Sequence, residues 1–474
     1  MKKPRLSAAA CAVLISALMT VGCGSVQATT PSTSLASAPS SQTAVQVTAE
    51  LSSDISSPTV TPASSSVVPA LGTDASVLTT VPTPTVTESK VTAGTEPTIS
   101  VDPLSGAIAV IVQHIAFPRF CSAPTVSISH DNGKTWVSAG RPWGRQCQDV
   151  HGVIAWGPNG RLWAGDAVGM RGGVKMSITY TDNLGKSWAR PYIEPYTRAW
   201  VGCFPMIIVD NDKTSPSYGT LYVAYNWLPN RNGPGLHVLA KPLNGPWSAV
   251  EVPVVGLKGY PAHNRIGYRL APLNGGLVVS WYESDLRAFP SDILSDGAAR
   301  NVGRRGFAVA TLGWSGATLS VKSVEWAGSV AGNNRLVLDP RWQSQLAIDN
   351  GQIFLVVENG GRVDLGRKTD TGWTWRILSG GFKPTLAASG DGIIFVGWHQ
   401  ASGATVRNYY TLSYDNGATW TAAKQVDGAK WRLPNVINGT GLREDAVYGN
   451  GSFYWAFGDT RSRGTSIYVA RITP

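Results

Sequence analysis

The chain has 474 residues, of which 43% are hydrophobic and only 15% are charged, and it contains 52 glycines, 18 tryptophans and 15 tyrosines. This length exceeds one ordinary domain unless the domain is built from repeats, and the glycine and aromatic content favours a β protein with many tight turns over a helical bundle. The formal net charge of +10 favours anionic partners, and no nucleic-acid-binding motif accompanies it.

Residues 1–22 have the pattern of a signal peptide. The basic stretch MKKPRLS precedes the apolar stretch AAACAVLISALMTV, which is too short to cross a bilayer comfortably. It ends in TVGC, which resembles the lipobox of bacterial lipoproteins and predicts a lipid on Cys23; ordinary signal cleavage nearby is the alternative. The sequence therefore predicts an exported lipoprotein that is anchored in a membrane and faces the cell exterior or the periplasm.

Residues 23–92 are predicted to be a disordered tether. They consist mainly of Ser, Thr, Pro, Ala and Val with few aromatics, so they cannot bury enough apolar surface to offset the entropy of ordering. The signal carries three basic residues, and the tether up to residue 90 carries four acidic residues and one basic residue. The formal charge of +10 therefore belongs to residues 91–474, and acidic glycans, cell-wall polymers or lipid headgroups are the anionic partners that suit it.

Residues 93–474 repeat a unit of four predicted strands. A short apolar strand such as TISVDP precedes an aromatic strand such as GTLYVAYNW, and a third strand leads through a turn into a fourth. The pattern predicts an all-β propeller of four-stranded antiparallel blades, with seven blades favoured and six as the alternative. First strands are predicted to begin near Ile99, Val153, Ile207, Ile266, Leu346, Leu386 and Val447. The last unit, from Asp445 to Pro474, has three strands, so residues just before Glu96 are predicted to supply its fourth strand.

An eight-residue motif marks the turn after several third strands. Its Asp is predicted to accept backbone hydrogen bonds, its Gly to adopt a positive φ, and its Trp to bury its ring beneath the turn. The motif is complete in SHDNGKTW and SYDNGATW and partial in TDNLGKSW and KTDTGWTW. The predicted structural positions are Ser129, Asp131, Gly133, Trp136, Asn183, Gly185, Trp188, Asp370, Gly372, Trp375, Ser413, Asp415, Gly417 and Trp420.

These turns resemble the Asp-boxes, or BNR repeats, of bacterial sialidases and related propellers. The resemblance covers residues 96–474 as a repeat pattern. It implies a structural role for the motif, because Asp-boxes lie on the blade periphery, away from the active site. Asp-boxes also recur in xyloglucan hydrolases, sorting receptors and photosystem assembly factors, so the motif predicts the fold more strongly than the function.

The mouth of the central channel is the predicted ligand site. Two sets of loops line such a mouth, and both are polar here. Second strands are followed by His114, Asp166, Asn226, Glu283, Glu358, His399 and Asp459, and first strands are preceded by Arg145, Arg198, Arg265, Arg341, Lys383 and Arg443. Several arginine side chains around one channel mouth would bind a carboxylate or sulfate through paired hydrogen bonds. Trp342 is one of the aromatic residues that would stack on sugar rings. The alternative for any single residue is the polarity common to loops.

The resemblance to sialidases implies three arginines on the substrate carboxylate, an acidic Asp and a Tyr–Glu nucleophile pair. By position, Arg265, Arg341 and Arg443 are the candidate triad, and Glu283 with Asp166 are the candidate catalytic carboxylates. Arg198, Asp459, His399 and Trp342 complete the predicted substrate-binding set. The chain departs from the family where Thr95 replaces the Arg of the Arg-Ile-Pro motif, and where HIAFPRFCSAP contains no Asp.

Cysteines, metals and cofactors complete the predictions. Among the three cysteines of the repeat region, Cys121 and Cys147 are predicted to pair, since their loops open on the same face of neighbouring blades, leaving Cys203. No metal or cofactor is expected; Asp210 and Asp212 are more typical of a solvated turn than of a calcium loop. We expect a monomer that binds anionic carbohydrate or cell-wall glycan at the channel mouth, with hydrolysis of that glycan as a further hypothesis. The alternative is a non-catalytic scaffold that binds a protein or a cell-wall polymer.

Overall fold

The structure is a computed structural model. It describes residues 83–474 except 117–120, 145–150, 171–172, 195–199, 202–204, 229–234, 254, 256–261, 287–300, 331–343, 427–429, 433–442 and 463. The predicted signal peptide, Cys23 and the predicted tether up to residue 82 therefore lie outside the described residues.

The described chain forms thirty-two β-strands. The first half contains β1 Thr85–Ala93, β2 Thr95–Val101, β3 Ile108–Gln113, β4 Ile115–Ala116, β5 Cys121–Ser122, β6 Thr125–Ser129, β7 Val137–Ser138, β8 Val153–Trp156, β9 Leu162–Met170, β10 Gly173–Thr181, β11 Tyr192–Ile193, β12 Trp200–Val201, β13 Met206–Val209, β14 Leu221–Leu228, β15 Gly235–Lys241 and β16 Ser248–Val252. The second half contains β17 Ala262–Leu273, β18 Gly276–Leu286, β19 Asn301–Ser315, β20 Thr318–Ser329, β21 Gln345–Asp349, β22 Gln352–Glu358, β23 Arg362–Thr369, β24 Gly372–Gly380, β25 Phe382–Ala388, β26 Ile394–Ser402, β27 Thr405–Ser413, β28 Lys424–Gln425, β29 Trp431–Arg432, β30 Asp445–Gly449, β31 Ser452–Asp459 and β32 Ser466–Thr473.

Seven antiparallel sheets form the blades of a β-propeller, which confirms the predicted fold and the favoured blade number. From the channel outward, blade one is β2-β3-β6-β7, blade two is β8-β9-β10-β11, blade four is β17-β18-β19-β20 and blade five is β21-β22-β23-β24. Blade three is β13-β14-β15-β16 with β12 also on β14, and blade six is β25-β26-β27-β28 with β29 also on β27. All seven predicted first strands are present, and each contacts the first strands of its two neighbours around a closed ring.

Blade seven is closed by the N-terminal strand, in the order β30-β31-β32-β1. Thr85 pairs with Thr473 and Ala93 with Ser466, so residues before Glu96 supply the fourth strand, as predicted. The predicted boundary between tether and propeller at residues 92 and 93 is wrong, because β1 begins at Thr85. Exposed and half-buried side chains alternate from Thr85 to Glu88, and the pairing shifts between Lys90 and Thr92; the composition of this strand resembles that of the tether, so the sequence does not set it apart.

The core lies between the blades. Large buried side chains of the blades pack against the neighbouring blade, among them Trp156 of a first strand and Trp281, Trp398 and Trp455 of second strands. The cluster between blades six and seven joins Phe395, Tyr410 and Trp455, for example. Aromatic rings are prominent in this cluster, where a wide ring spans the gap between two twisted sheets, whereas aliphatic side chains make up most of the other clusters.

The motif turns use their polar side chains locally. In the first complete turn, the Asp131 carboxylate accepts the N–H groups of Lys134 and Thr135 at 3.0 and 2.9 Å and the Thr135 hydroxyl at 2.6 Å. The Ser129 hydroxyl donates to Asp131 at 2.7 Å, and the Gly133 N–H donates to Ser129 at 2.8 Å. These bonds lower the pKa of Asp131, chiefly through the Thr135 hydroxyl.

The three other copies of the motif differ in how far they share this geometry. Asp415 in the second complete turn accepts the Thr419 N–H at 2.8 Å, and Asn183 accepts the Ser187 N–H at 2.9 Å. The fourth copy is different, because Asp370 lies at the tip of a two-residue hairpin between β23 and β24. There Trp375 belongs to the outer strand β24, and its indole N–H donates to the Ala327 carbonyl at 2.9 Å.

Candidate functional site

A cluster of buried ionisable side chains lies at one end of the central channel. Its members lie just before or at the start of first strands, or toward the end of second strands, which are the two positions that line a propeller mouth. We name as the channel-head cluster Glu96, His151, Glu358, Lys383, His399 and Glu444. All six are nearly or completely shielded from solvent, so their charges interact in a medium of low dielectric.

His399 and Glu444 form the most closely bonded pair of the cluster. The His399 Nε2 atom lies 2.9 and 2.8 Å from the two carboxylate oxygens of Glu444. Its Nδ1 atom lies 2.7 Å from the Asn408 amide oxygen, and that oxygen also accepts the Trp431 indole N–H at 3.1 Å. Because an indole N–H only donates, it fixes the amide oxygen toward His399, so Nδ1 must donate. The Trp455 indole N–H also donates to Glu444 at 3.3 Å, so the carboxylate contacts a second ring nitrogen besides that of His399.

Lys383 stands between three carboxylates. Its Nζ atom is 3.9 Å from a Glu444 oxygen, and its backbone N–H donates to Glu358 at 3.2 Å. Burial lowers the pKa of Lys383, while the negative charges of Glu444, Glu96 and Glu358 oppose that shift. The cluster therefore holds one ammonium group within the field of three acidic side chains.

Blades one, two and seven supply the other side of the cluster. The His151 Nε2 atom lies 3.3 Å from the Glu96 carboxylate, and the Arg443 guanidinium donates to the His151 carbonyl at 3.4 Å. Arg443 is buried as well. The positive charge of Arg443 therefore acts inside the channel head. Its position in the sequence had instead predicted an exposed arginine at the rim of the channel mouth.

A polar layer separates the cluster from the rest of the channel. Arg269 donates to the Gln345 amide oxygen at 2.8 Å, and both side chains donate to the Glu444 carbonyl, at 3.2 and 3.0 Å. Burial lowers the pKa of Arg269 to about 10 and raises that of Asp445 against the opposing charges of Arg269 and Arg443. Beyond this layer lies a cavity of about 440 Å³, lined by the first strands down to Pro103 and Asn450 at their far ends.

The two carboxylates predicted to be catalytic are held by groups of their own blades. Glu283 is fully buried and accepts the Val255 N–H at 3.0 Å and the Trp281 indole N–H at 2.9 Å. Asp166 is fully buried too and accepts the Ala167 N–H at 2.7 Å. The Glu283 contacts fix the segment before blade four, so this carboxylate has a structural use that its loop position in the sequence did not show.

Asp459 connects the mouth of the channel to the strand that closes the ring. It is fully buried and receives the Arg461 guanidinium at 2.5 Å, and the same guanidinium donates to Glu88 of β1 at 2.5 Å. Burial raises the pKa of Asp459, whereas Arg461 lowers it most among the opposing charges and His399 lowers it less. The described structure thus brings together three of the predicted substrate-binding residues, His399, Arg443 and Asp459, around the channel head.

The remaining predicted residues are only partly described. The backbone of Arg265 lies in β17 opposite Glu283, and Cys121 lies in the short strand β5, which pairs with β4. Arg198, Arg341, Trp342, Cys147 and Cys203 lie outside the described residues. The predicted disulfide and arginine triad therefore stay predictions.

Sequence reasoning missed Glu96, Glu444 and His151 and assigned Glu358 and Lys383 no role of their own. A signal for two of them exists: EPTI at Glu96–Ile99 and KPTL at Lys383–Leu386 repeat one pattern at the start of two first strands. His151 and Glu444 immediately precede the next first strands. Nothing in their local pattern marks them, because it is the ring that brings them together.

Three further findings concern the described residues alone. No three His, Cys, Asp or Glu side chains in this part of the chain are grouped so that they could hold a metal ion. The Asp210 carboxylate, weighed as a calcium ligand, instead accepts the Ser215 and Ser217 hydroxyls at 2.5 and 2.6 Å. No helix of sufficient length and apolarity to span a membrane occurs within these residues.

Comparisons with known proteins find distant structural similarity and no family. No protein-family model matches the sequence, and a search of curated proteins finds no match. Among solved structures, the α-L-arabinofuranosidase Arb93A of Fusarium graminearum in complex with an iminosugar inhibitor is similar at 14% identity and a TM-score of 0.43, over 68% of this chain and 92% of that one. The endosialidase of phage phi92 has 11% identity and a TM-score of 0.43, over 82% and 69%. A Trypanosoma rangeli sialidase has 11% identity and a TM-score of 0.41, over 80% and 54%, so this chain matches about half of its length.

Proposed function

We propose that this protein is a glycoside hydrolase that binds an acidic glycan at the mouth of its central channel. The observation that carries the proposal is the meeting of three buried carboxylates, Glu96, Glu358 and Glu444, around Lys383 at the channel head. Hydrolysis of a glycosidic bond uses a pair of carboxyl groups in different protonation states. A cluster in which burial and neighbouring charges compete supplies such differences.

The substrate class follows from charge. Residues 91–474 carry the entire formal net charge of +10, which would concentrate acidic glycans near the mouth. We assign Arg198, Arg265 and Arg341 to the grip on the substrate carboxylate or sulfate, since guanidinium groups bind such anions with two parallel hydrogen bonds. The signal pattern and Cys23 complete the proposal: the propeller works outside the cytoplasm, held to a membrane by a lipid.

Binding is tested by calorimetric titration of the purified propeller with sialylated, uronic-acid-containing and neutral oligosaccharides. Acidic sugars should bind more tightly than neutral ones, and added salt should weaken that binding. Arg265→Ala should weaken it about 10- to 150-fold, since a charge-assisted bond contributes about 1.5–3 kcal/mol. Equal affinity for acidic and neutral sugars would contradict the proposed substrate class.

Hydrolysis is tested with a panel of fluorogenic sialyl, uronyl and neutral glycosides. Glu444→Gln should abolish turnover, because an amide cannot exchange a proton as a carboxyl group does. Glu283→Gln is the matched control: its carboxylate holds Val255 and Trp281, so it should lower stability more than turnover. Tight binding of acidic glycans without turnover of any glycoside would replace the hydrolase with a non-catalytic glycan-binding scaffold.

A further inference from the structure

Two residues of the channel head adopt a backbone conformation that their side chains disfavour. Eight non-glycine residues of the described chain have a positive φ, and six of them lie in turns between strands, five being Asn. The other two are Glu96, with φ of 53°, and Lys383, with φ of 48°. Both lie inside first strands, at the head of the channel.

The two positions are equivalent in their blades. In β2 the pairing with β3 shifts between Thr95 and Thr98, and in β25 the pairing with β26 shifts between Phe382 and Thr385. Each shift is a β-bulge, and the residue with positive φ is the first one after the last regular pair. The repeated patterns EPTI and KPTL are the sequence record of this bulge.

Blade four contains the same bulge with a different residue. The pairing of β17 with β18 shifts between Ile266 and Arg269, and the equivalent position is Gly267, with φ of 67°. Glycine is the residue that adopts this conformation without strain. A bulge that only shaped the strand would therefore be served by glycine in all three blades.

Glu96 and Lys383 are strained for a second reason. Each precedes a proline, Pro97 and Pro384, and a residue before proline favours an extended backbone. Strain of this kind persists where the surrounding structure enforces it, and it concentrates at binding and catalytic sites. Bulges likewise redirect side chains next to active sites. Here they direct an acidic and a basic side chain into one buried cluster, where the charge of Glu96 acts on Lys383.

We propose that Glu96 and Lys383 are the ligand-contacting pair of the channel head, held in place by their bulges. The Lys383 ammonium group meets the anionic group of the glycan, and the Glu96 carboxylate, beside His151, accepts a hydrogen bond from a sugar hydroxyl. The assignment of an acidic glycan as the ligand rests on the proposed function. The alternative is that the two residues form an ion pair that stabilises the fold.

Two double variants separate these readings. Glu96→Gly with Lys383→Gly removes one charge of each sign and relieves both strained positions. Glu96→Gln with Lys383→Gln removes the charges but keeps side-chain size and strain. Asn350→Gly is the matched control, because Asn350 has a φ of 47° in a hairpin turn between β21 and β22.

The expected results concern stability and binding together. The glycine double variant should unfold at the same temperature as the parent or about 2–4 °C higher, and both double variants should bind acidic oligosaccharide at least 10-fold more weakly. Asn350→Gly should bind like the parent. A lower unfolding temperature of the glycine double variant, or parent-like binding by the glutamine double variant, overturns the assignment even when the parent binds acidic glycan. A parent that binds no acidic glycan overturns the proposed function instead, and the ligand assignment with it.

Discussion

Replacing Arg461 by Met should destabilise the propeller by opening its closure. The Arg461 guanidinium bridges Glu88 of the closing strand and the fully buried Asp459, each at 2.5 Å. It also lies 4.3 Å from the centre of the Tyr468 ring. Methionine keeps most of the apolar part of the side chain but removes the positive charge. Asp459 then remains buried without the cation that Arg461 supplies.

The magnitude follows from burial. Removing one partner of a buried ion pair costs about 3–5 kcal/mol, and the cation–π contact adds about 0.5–1 kcal/mol. Arg461 and Glu88 retain side-chain exposures of 16% and 13%, so solvent screening reduces the contribution of the Arg461–Glu88 ion pair. We therefore expect Arg461→Met to lower the free energy of unfolding by about 3 kcal/mol. Urea denaturation followed by tryptophan fluorescence measures it, and limited proteolysis of β1 should accelerate in parallel.

Two variants and a change of pH check the reasoning. Asp459→Asn added to Arg461→Met should recover much of the loss, because the buried charge is then gone. Arg376→Met, which removes an exposed guanidinium with one 3.3 Å bond to the Ala418 carbonyl, should cost less than about 0.5 kcal/mol. Burial already raises the pKa of Asp459; without Arg461 it rises further, and a carboxyl with a raised folded-state pKa gains stability as pH falls. A loss below about 1 kcal/mol, or an Arg461→Met defect that grows on acidification, would refute the closure argument.

Further predictions concern other parts of the chain. Because the pKa of Asp131 is lowered in the folded state, Asp131→Asn should reduce stability at neutral pH, and the gap to the parent should shrink as pH falls below about 4; a gap independent of pH in urea denaturation would contradict the role of its carboxylate. Peptide mapping under non-reducing conditions should find Cys121 bridged to Cys147, and a bridge from either to a different cysteine would refute that pairing.

The fold was readable from the sequence because it is periodic. Each blade repeats a short apolar strand and an aromatic strand, so the seven first strands could be placed to within a few residues, and the three-stranded last unit required a strand from elsewhere. The start of β1 was misplaced, since TVTESKVTA has the composition of the tether and contains no aromatic residue.

The site was less readable because its residues meet only when the ring closes. Glu96 precedes Lys383 by nearly three hundred residues and Glu444 follows Lys383 by about sixty. A single charged residue before a strand does not stand out among polar loops. Glu283 was predicted to be catalytic from its position in the sequence, but its carboxylate accepts hydrogen bonds from the Val255 N–H and the Trp281 indole. Such partners depend on how β18 packs, which no local pattern encodes.

The pairing of β1 with β32 has a consequence for the order of events during biosynthesis. The ribosome makes Thr85 nearly four hundred residues before its partner Thr473, so the ring stays open until the last strand has been made. Closing so long a loop is entropically costly and slow. A nascent chain of this protein therefore remains an incomplete ring for most of its synthesis.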